Sequence, residues 1–126
     1  MATTGNTGFR ALLDVGAQTA DDGRARIELE ASNKHLNAAG TVQGGVLAAL
    51  VDMAMADAVR SLIGGDDIPA TSQLTVTYLR AGTPGLLTVT ATVRQQGEHL
   101  TVCEAGIEQD GRALVHALAT FAVLHR

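Results

Sequence analysis

From Val46 to Ala56 the chain is apolar at every position except Asp52. A stretch of that composition has no solvent-tolerant face, so the rest of the protein must cover it on most sides. With 126 residues there is room for one core and not two. The economical solution is one long helix enclosed by a curved sheet. An ionised carboxylate in such surroundings costs several kcal/mol unless something compensates it, which makes Asp52 the first candidate for function. Gly44 and Gly45 introduce the run. A helix starting there presents unpaired backbone N–H groups at its positive end, a receptor for developing negative charge.

Composition narrows the classes. Phe9, Phe121 and Tyr78 are the only aromatic residues, so the core is built from Ala, Val, Leu and Ile. Net charge is −4 and the nine Lys and Arg residues are scattered singly, which argues against a nucleic-acid partner. One cysteine, Cys103, excludes an internal disulfide and fits a reducing compartment. No apolar run approaches the roughly 20 residues of a membrane span, and Met1–Ala20 lacks a signal-peptide apolar stretch. The expectation is a soluble, cytoplasmic protein with no membrane partner. His35, His99, His116 and His125 show no zinc-ligand spacing, and no phosphate-binding glycine motif is present, so neither metal nor cofactor is expected.

Along the chain, Met1–Gly8 is Thr/Gly/Asn-rich and expected to be loose. Leu13, Val15 and Ala17 alternate with polar residues, Asp21-Asp22-Gly23 marks a turn, and Ala25, Ile27 and Leu29 alternate again. This predicts a hairpin. Ser32–Gln43 is irregular. The helix is predicted from about Gly44 to Ile63, with Gly64-Gly65 as its glycine cap. Strands are predicted over Thr71–Arg80, Leu86–Gln95, Leu100–Gln109 and Ala113–Leu124, the last two joined by an Asp110-Gly111 turn. The class is α+β, and residues 1–126 form one domain.

The segment His35-Leu-Asn37-Ala-Ala-Gly40-Thr-Val-Gln43-Gly44-Gly45, with Leu50-Val-Asp52-Met-Ala54 beyond it, resembles the hotdog-fold acyl-CoA thioesterases, in particular their phenylacetate-degradation (PaaI-like) branch. The family pattern is roughly H-x-N-x-x-G-x-x-H-G-G, then six residues, then Asp. Thr75–Arg80 and Gly97 extend the resemblance, which covers about residues 10–124. It implies the hotdog fold, a curved antiparallel sheet wrapped around one central helix, and hydrolysis of an acyl-CoA to free acid and coenzyme A. The Gly44 N–H would receive the oxyanion, with Gln43 and Asn37 as polar positioners and Asp52 as general base or nucleophile. Gly45 would permit close approach of substrate. The family's histidine is Gln43 here; its amide still donates a hydrogen bond but has no titratable proton. Phenylacetyl, hydroxyphenylacetyl or a medium aliphatic chain is the acyl group expected.

Gly44 and Asp52 lie eight residues apart on the predicted helix, about 12 Å along its axis and roughly 80° around it. Attacking atom, carbonyl and oxyanion donor together span only about 6–7 Å. One chain would therefore struggle to serve both ends of the reaction. Two chains across a two-fold axis would suffice, so a homodimer is the expected minimum and a homotetramer the expected assembly. Arg80, Arg94 and His99 are candidate contacts for coenzyme A phosphates.

Other residues carry ordinary readings. Asp57 is expected on a solvated helix edge facing Arg60 at i+3, Cys103 as a small core residue, His116 as a hydrogen-bonded core histidine and His35 as structural. A non-catalytic acyl-CoA-binding module is the competing function, with Gln43 as a sign of lapsed catalysis. A hotdog dehydratase fits less well, because no histidine–aspartate pair stands at the head of the helix.

Overall fold

A computed structural model describes residues 6–125. A short helix α1 (Gly8–Leu13) leads into a hairpin of β1 (Gln18–Asp21) and β2 (Arg24–Ala31). A single 3-10 turn (Asn33–His35) and an irregular loop reach the long helix α2 (Gly44–Arg60). Then come β3 (Ile68–Tyr78), β4 (Gly85–Gln96), β5 (Leu100–Gln109) and β6 (Arg112–Leu124). The strands form one antiparallel sheet in the order β1-β2-β4-β5-β6-β3, so β3, the first strand after the helix, crosses to the far margin.

Local chemistry explains the elements. Both tight hairpins turn on a two-residue Asp-Gly with positive φ, at Asp22-Gly23 (52° and 77°) and Asp110-Gly111 (51° and 76°). These values match the right-handed strand twist that such turns require. Inward residues alternate: Leu87, Val89 and Ala91 on β4 and Cys103, Ala105 and Ile107 on β5 are all buried. Bulges at Thr71/Gln73 in β3 and Val93/Gln95 in β4 bend the sheet. It thereby wraps α2, which touches all six strands. Leu47, Leu50, Val51, Met55, Ala58 and Val59 of α2 are sunk in the concavity.

Three expectations change. The helix stops at Arg60 and not at Ile63. Ser61 closes it, its amide bonding the Asp57 carbonyl and its hydroxyl donating to the Ala58 carbonyl at 2.7 Å while accepting the Gly23 amide at 2.8 Å. The two glycines lie beyond that cap in the following turn. Leu13 ends α1, and the first strand begins only at Gln18. Finally, the loose start expected over Met1–Gly8 falls outside the described residues for positions 1–5, and Gly8 already belongs to α1.

Candidate active site along the exposed strip of α2

The loop before α2 is fastened by Asn37. Its Oδ1 accepts the amides of Ala39 (3.0 Å) and Thr41 (3.1 Å), and its Nδ2 donates to Thr41 Oγ1 at 2.9 Å. The Asn37 amide group thus faces its own loop, as asparagine does in turns. Buried His35 is structural, as expected. Its Nδ1 accepts the Ser32 amide at 3.0 Å, its Nε2–H donates to the Leu13 carbonyl at 2.7 Å, and its own carbonyl accepts the Gln43 amide at 2.8 Å. Gln43 is therefore fixed by its backbone, while its side chain is exposed and makes no helix-capping bond.

Behind Gln43, the amides of Val46 and Leu47 bond its carbonyl, whereas those of Gly44 and Gly45 have no acceptor among the described residues. Nothing within the chain requires glycine at either position. Neither has positive φ. A Cβ on Gly45 would meet no atom within 4 Å, and one on Gly44 would rest 3.4 Å from the Tyr78 ring, an ordinary contact. Glycine in a helix interior costs about 0.5–1 kcal/mol relative to alanine, and no contact or backbone angle of this chain offsets that cost at these two positions.

Asp52 sits two turns further along the same helix. It is not sunk in the core, contrary to the expectation from its apolar neighbours. It lies half-buried on the strip of α2 that the sheet leaves open, among Ala48, Ala49 and Ala56. Thr71 of β3 donates its hydroxyl to Asp52 Oδ1 at 2.6 Å. Tyr78, at the other end of β3, donates its hydroxyl to the Gly44 carbonyl at 2.8 Å. The edge strand thus runs back along α2 and holds both ends of the candidate site. Thr71 and Tyr78 were not legible as site residues, since each contact spans a long loop.

The buried carboxylate is Asp57, only 2% exposed, which overturns its assignment to a solvated edge. Arg10 of α1 grips it bidentately, Nη2 to Oδ1 at 2.8 Å and Nη1 to Oδ2 at 3.0 Å. Arg60 stands 3.6 Å away, so the expected i+3 pair exists but is secondary. Arg10 also donates to Gln18 Oε1. This geometry compensates a charge that would otherwise be prohibitive in the core.

The proposed phosphate contacts are not brought together by one chain. Arg80 follows β3 near the Gly44 end, its amide bonding the Leu114 carbonyl. Arg94 pairs with Glu104 at 3.6 Å on the outer face of the sheet, and His99 lies in the β4–β5 turn near Leu62, at the far end of α2. Cys103 is fully buried, and burial pushes its thiol up to about 11. His116 is exposed, 3.4 Å from Glu104, and is not the core histidine expected.

A model of the thioesterase superfamily matches residues 39–116, more than half of the chain, including Gln43, Gly44, Gly45, Asp52, Thr71 and Tyr78. The chain belongs to the thioesterase superfamily. Among curated proteins it has no match. Among solved structures, this thioesterase-superfamily chain is similar to a conserved protein from Pseudomonas aeruginosa, at 28% identity, a TM-score of 0.89 and 94% coverage of each chain. It is also similar to the Escherichia coli PaaI protein from the phenylacetic acid degradation operon, at 27% identity and a TM-score of 0.83, covering 95% of this chain and 86% of that one. A third is a hypothetical thioesterase protein from Streptococcus pneumoniae TIGR4 with coenzyme A, at 28% identity and a TM-score of 0.78, covering 89% and 97%. The hotdog fold of the superfamily, a curved antiparallel sheet around one helix, is the fold of this chain. No described helix is long and apolar enough to cross a membrane.

Proposed function

We infer that this chain is an acyl-CoA thioesterase of the cytoplasm whose site is completed by two protomers, Asp52 of one acting with the Gly44 amide of its partner. The observation that carries the reading is the pair of glycines at the head of α2. Their amides lack an acceptor among the described residues, and neither packing nor backbone conformation explains why they are glycine. The same helix bears a carboxylate on its open strip, about 12 Å away. The edge strand supports a dimer. If two β3 strands pair antiparallel about a two-fold near Leu74 and Thr75, Thr71 lies opposite the partner's Tyr78. Because Thr71 holds Asp52 and Tyr78 holds Gly44, that pairing sets carboxylate and amide side by side. A homotetramer is the larger assembly proposed.

Asp52 accepts a proton from water as its oxygen attacks the thioester carbonyl, or its own oxygen attacks first to give a mixed anhydride that water then opens. In either case the carbonyl oxygen becomes negative against the Gly44 N–H, a donor worth about 3 kcal/mol in the transition state. The carbon–sulfur bond then breaks, and coenzyme A leaves as a thiol after taking up a proton. Asn37 braces the loop that aims Gln43 and Gly44, and Arg80, at the Gly44 end, is placed to meet the phosphates. The acyl group proposed is aromatic, such as phenylacetyl or hydroxyphenylacetyl, or medium aliphatic.

Thiol release from a panel of acyl-CoAs tests the reading, and Asp52→Asn is expected to lower kcat by about 10²–10⁴-fold with the fold intact. A single turnover in ¹⁸O-water separates the general-base route, which puts one labelled oxygen into the acid, from an anhydride opened at the Asp52 carbonyl, which gives unlabelled acid and leaves the label in Asp52. The exposed, unbonded Gln43 favours one second reading, a non-catalytic acyl-CoA-binding module. Binding of several acyl-CoAs without hydrolysis of any would establish that module and remove the enzyme.

A further inference from the structure

Helix α1 contributes no buried residue. Polar contacts tie it to the body, Arg10 on Asp57, the Leu13 carbonyl on His35 and Lys34 3.4 Å from Asp14, and of its apolar side chains Leu13 packs against the core. Yet it carries Phe9, one of only three aromatic residues in the chain, and leaves its ring 56% exposed. Core packing does not explain that ring. Its position does: Phe9 and Arg10 of α1 line a cleft of about 480 Å³ together with Ala49, Asp52, Met53 and Arg60 of α2. The volume lies within the roughly 300–1,000 Å³ of small-molecule pockets.

The geometry points to this cleft as the pocket for the acyl chain, with Phe9 setting the length it accepts. The inference rests on the thioesterase reading above and adds to it the residue that discriminates among substrates. Coenzyme A is a polyanion, whereas Phe9, Ala49 and Met53 offer a hydrocarbon surface. The two guanidiniums do not favour the phosphates here, because both face the Asp57 carboxylate, Arg10 at 2.8 Å and Arg60 at 3.6 Å, and the Asp52 carboxylate lines the same cleft. Helix α1 leads into β1, which lies at the margin of the sheet opposite β3. A thioester attacked at Asp52 therefore extends its pantetheine arm towards the β3 margin and its acyl chain towards α1. The Arg10–Asp57 grip sets where α1 stands, and so how far Phe9 is from Met53.

The test compares kcat/KM for hexanoyl-, decanoyl- and phenylacetyl-CoA in the full chain and in Phe9→Ala and Phe9→Trp. Both variants should fold, since the ring is mostly exposed, and thermal melting with gel filtration should match the parent. One methylene in an apolar pocket is worth about tenfold or more in specificity. Phe9→Ala is accordingly expected to raise the decanoyl-to-hexanoyl ratio at least about tenfold, and Phe9→Trp to lower it. Unchanged ratios in both variants, with the parent active, overturn the inference and leave the thioesterase reading standing. An altered oligomeric state in Phe9→Ala also overturns it, because the ring then belongs to an interface. A parent that hydrolyses none of the three removes the thioesterase reading and the inference with it.

Discussion

Replacing Gly45 by alanine separates what the fold needs from what the site needs. The residue lies in the first turn of α2, its φ is not positive, and an added Cβ would have no neighbour within 4 Å. Within one chain the substitution is therefore free of clash. Alanine is better than glycine in a helix interior by about 1 kcal/mol; in a first turn, where fewer hydrogen bonds are at stake, roughly half of that is expected. For a domain of this size ~0.5 kcal/mol corresponds to a melting temperature about 2 °C higher. Outside the chain the effect reverses. The new methyl group stands where the substrate's thioester must approach the amides, and displacing a reacting group by ~1 Å costs about 10² in rate. Gly45→Ala should thus melt at or above the parent temperature while kcat/KM for its best acyl-CoA falls at least about 100-fold. Calorimetry, gel filtration and thiol release at one protomer concentration read all three quantities. Full activity in a dimeric Gly45→Ala protein would refute the reasoning, because the glycine would then have no purpose inside the chain or beyond it.

Arg10→Met strands the Asp57 carboxylate. Breaking a buried pair costs about 3–5 kcal/mol, and the nearby Arg60 holds the expected loss near the lower figure; chemical denaturation should also show Arg10→Met/Asp57→Leu recovering most of it, and a loss under ~1 kcal/mol in the single variant would contradict the burial argument. The Cys103 thiol, pushed up to about 11, should resist thiol reagents at pH 8 until the protein is unfolded. Because its folded value exceeds the ordinary 9.0, the stability it contributes is complete below pH 9 and disappears as pH rises through about 11. The fall in denaturation midpoint between those pH values should be smaller in Cys103→Ala.

Most of the architecture was legible because its signals are local: alternation on β2, Asp-Gly turns, and an apolar run too long for a strand. The site was legible in part. Asp52 and Asp57 differ by five positions, about 140° around the helix, so one of them had to face the sheet. A helix apolar on nearly every side does not reveal which. The answer came from Arg10, 47 residues away in sequence, and no spacing rule announces a contact of that range. Helix α1 was missed because its one inward apolar side chain, Leu13, continues the alternation of Val15 and Ala17 and so resembled the start of a strand. His116 misled because the outer face of β6 also carries Leu118 and Ala122, which made an outward position resemble the interior.

The two margins of the sheet are unequal. β1 offers four residues ending in Asp21, while β3 offers eleven, with three threonines, no charged residue and a proline only near its start. Lateral growth through main-chain hydrogen bonds is open on the long side and blunted on the short one. In the dimer proposed above, long margin joins long margin and consumes that template, so addition ends after a single event. The stickiest border of the chain is then extinguished by its first partner.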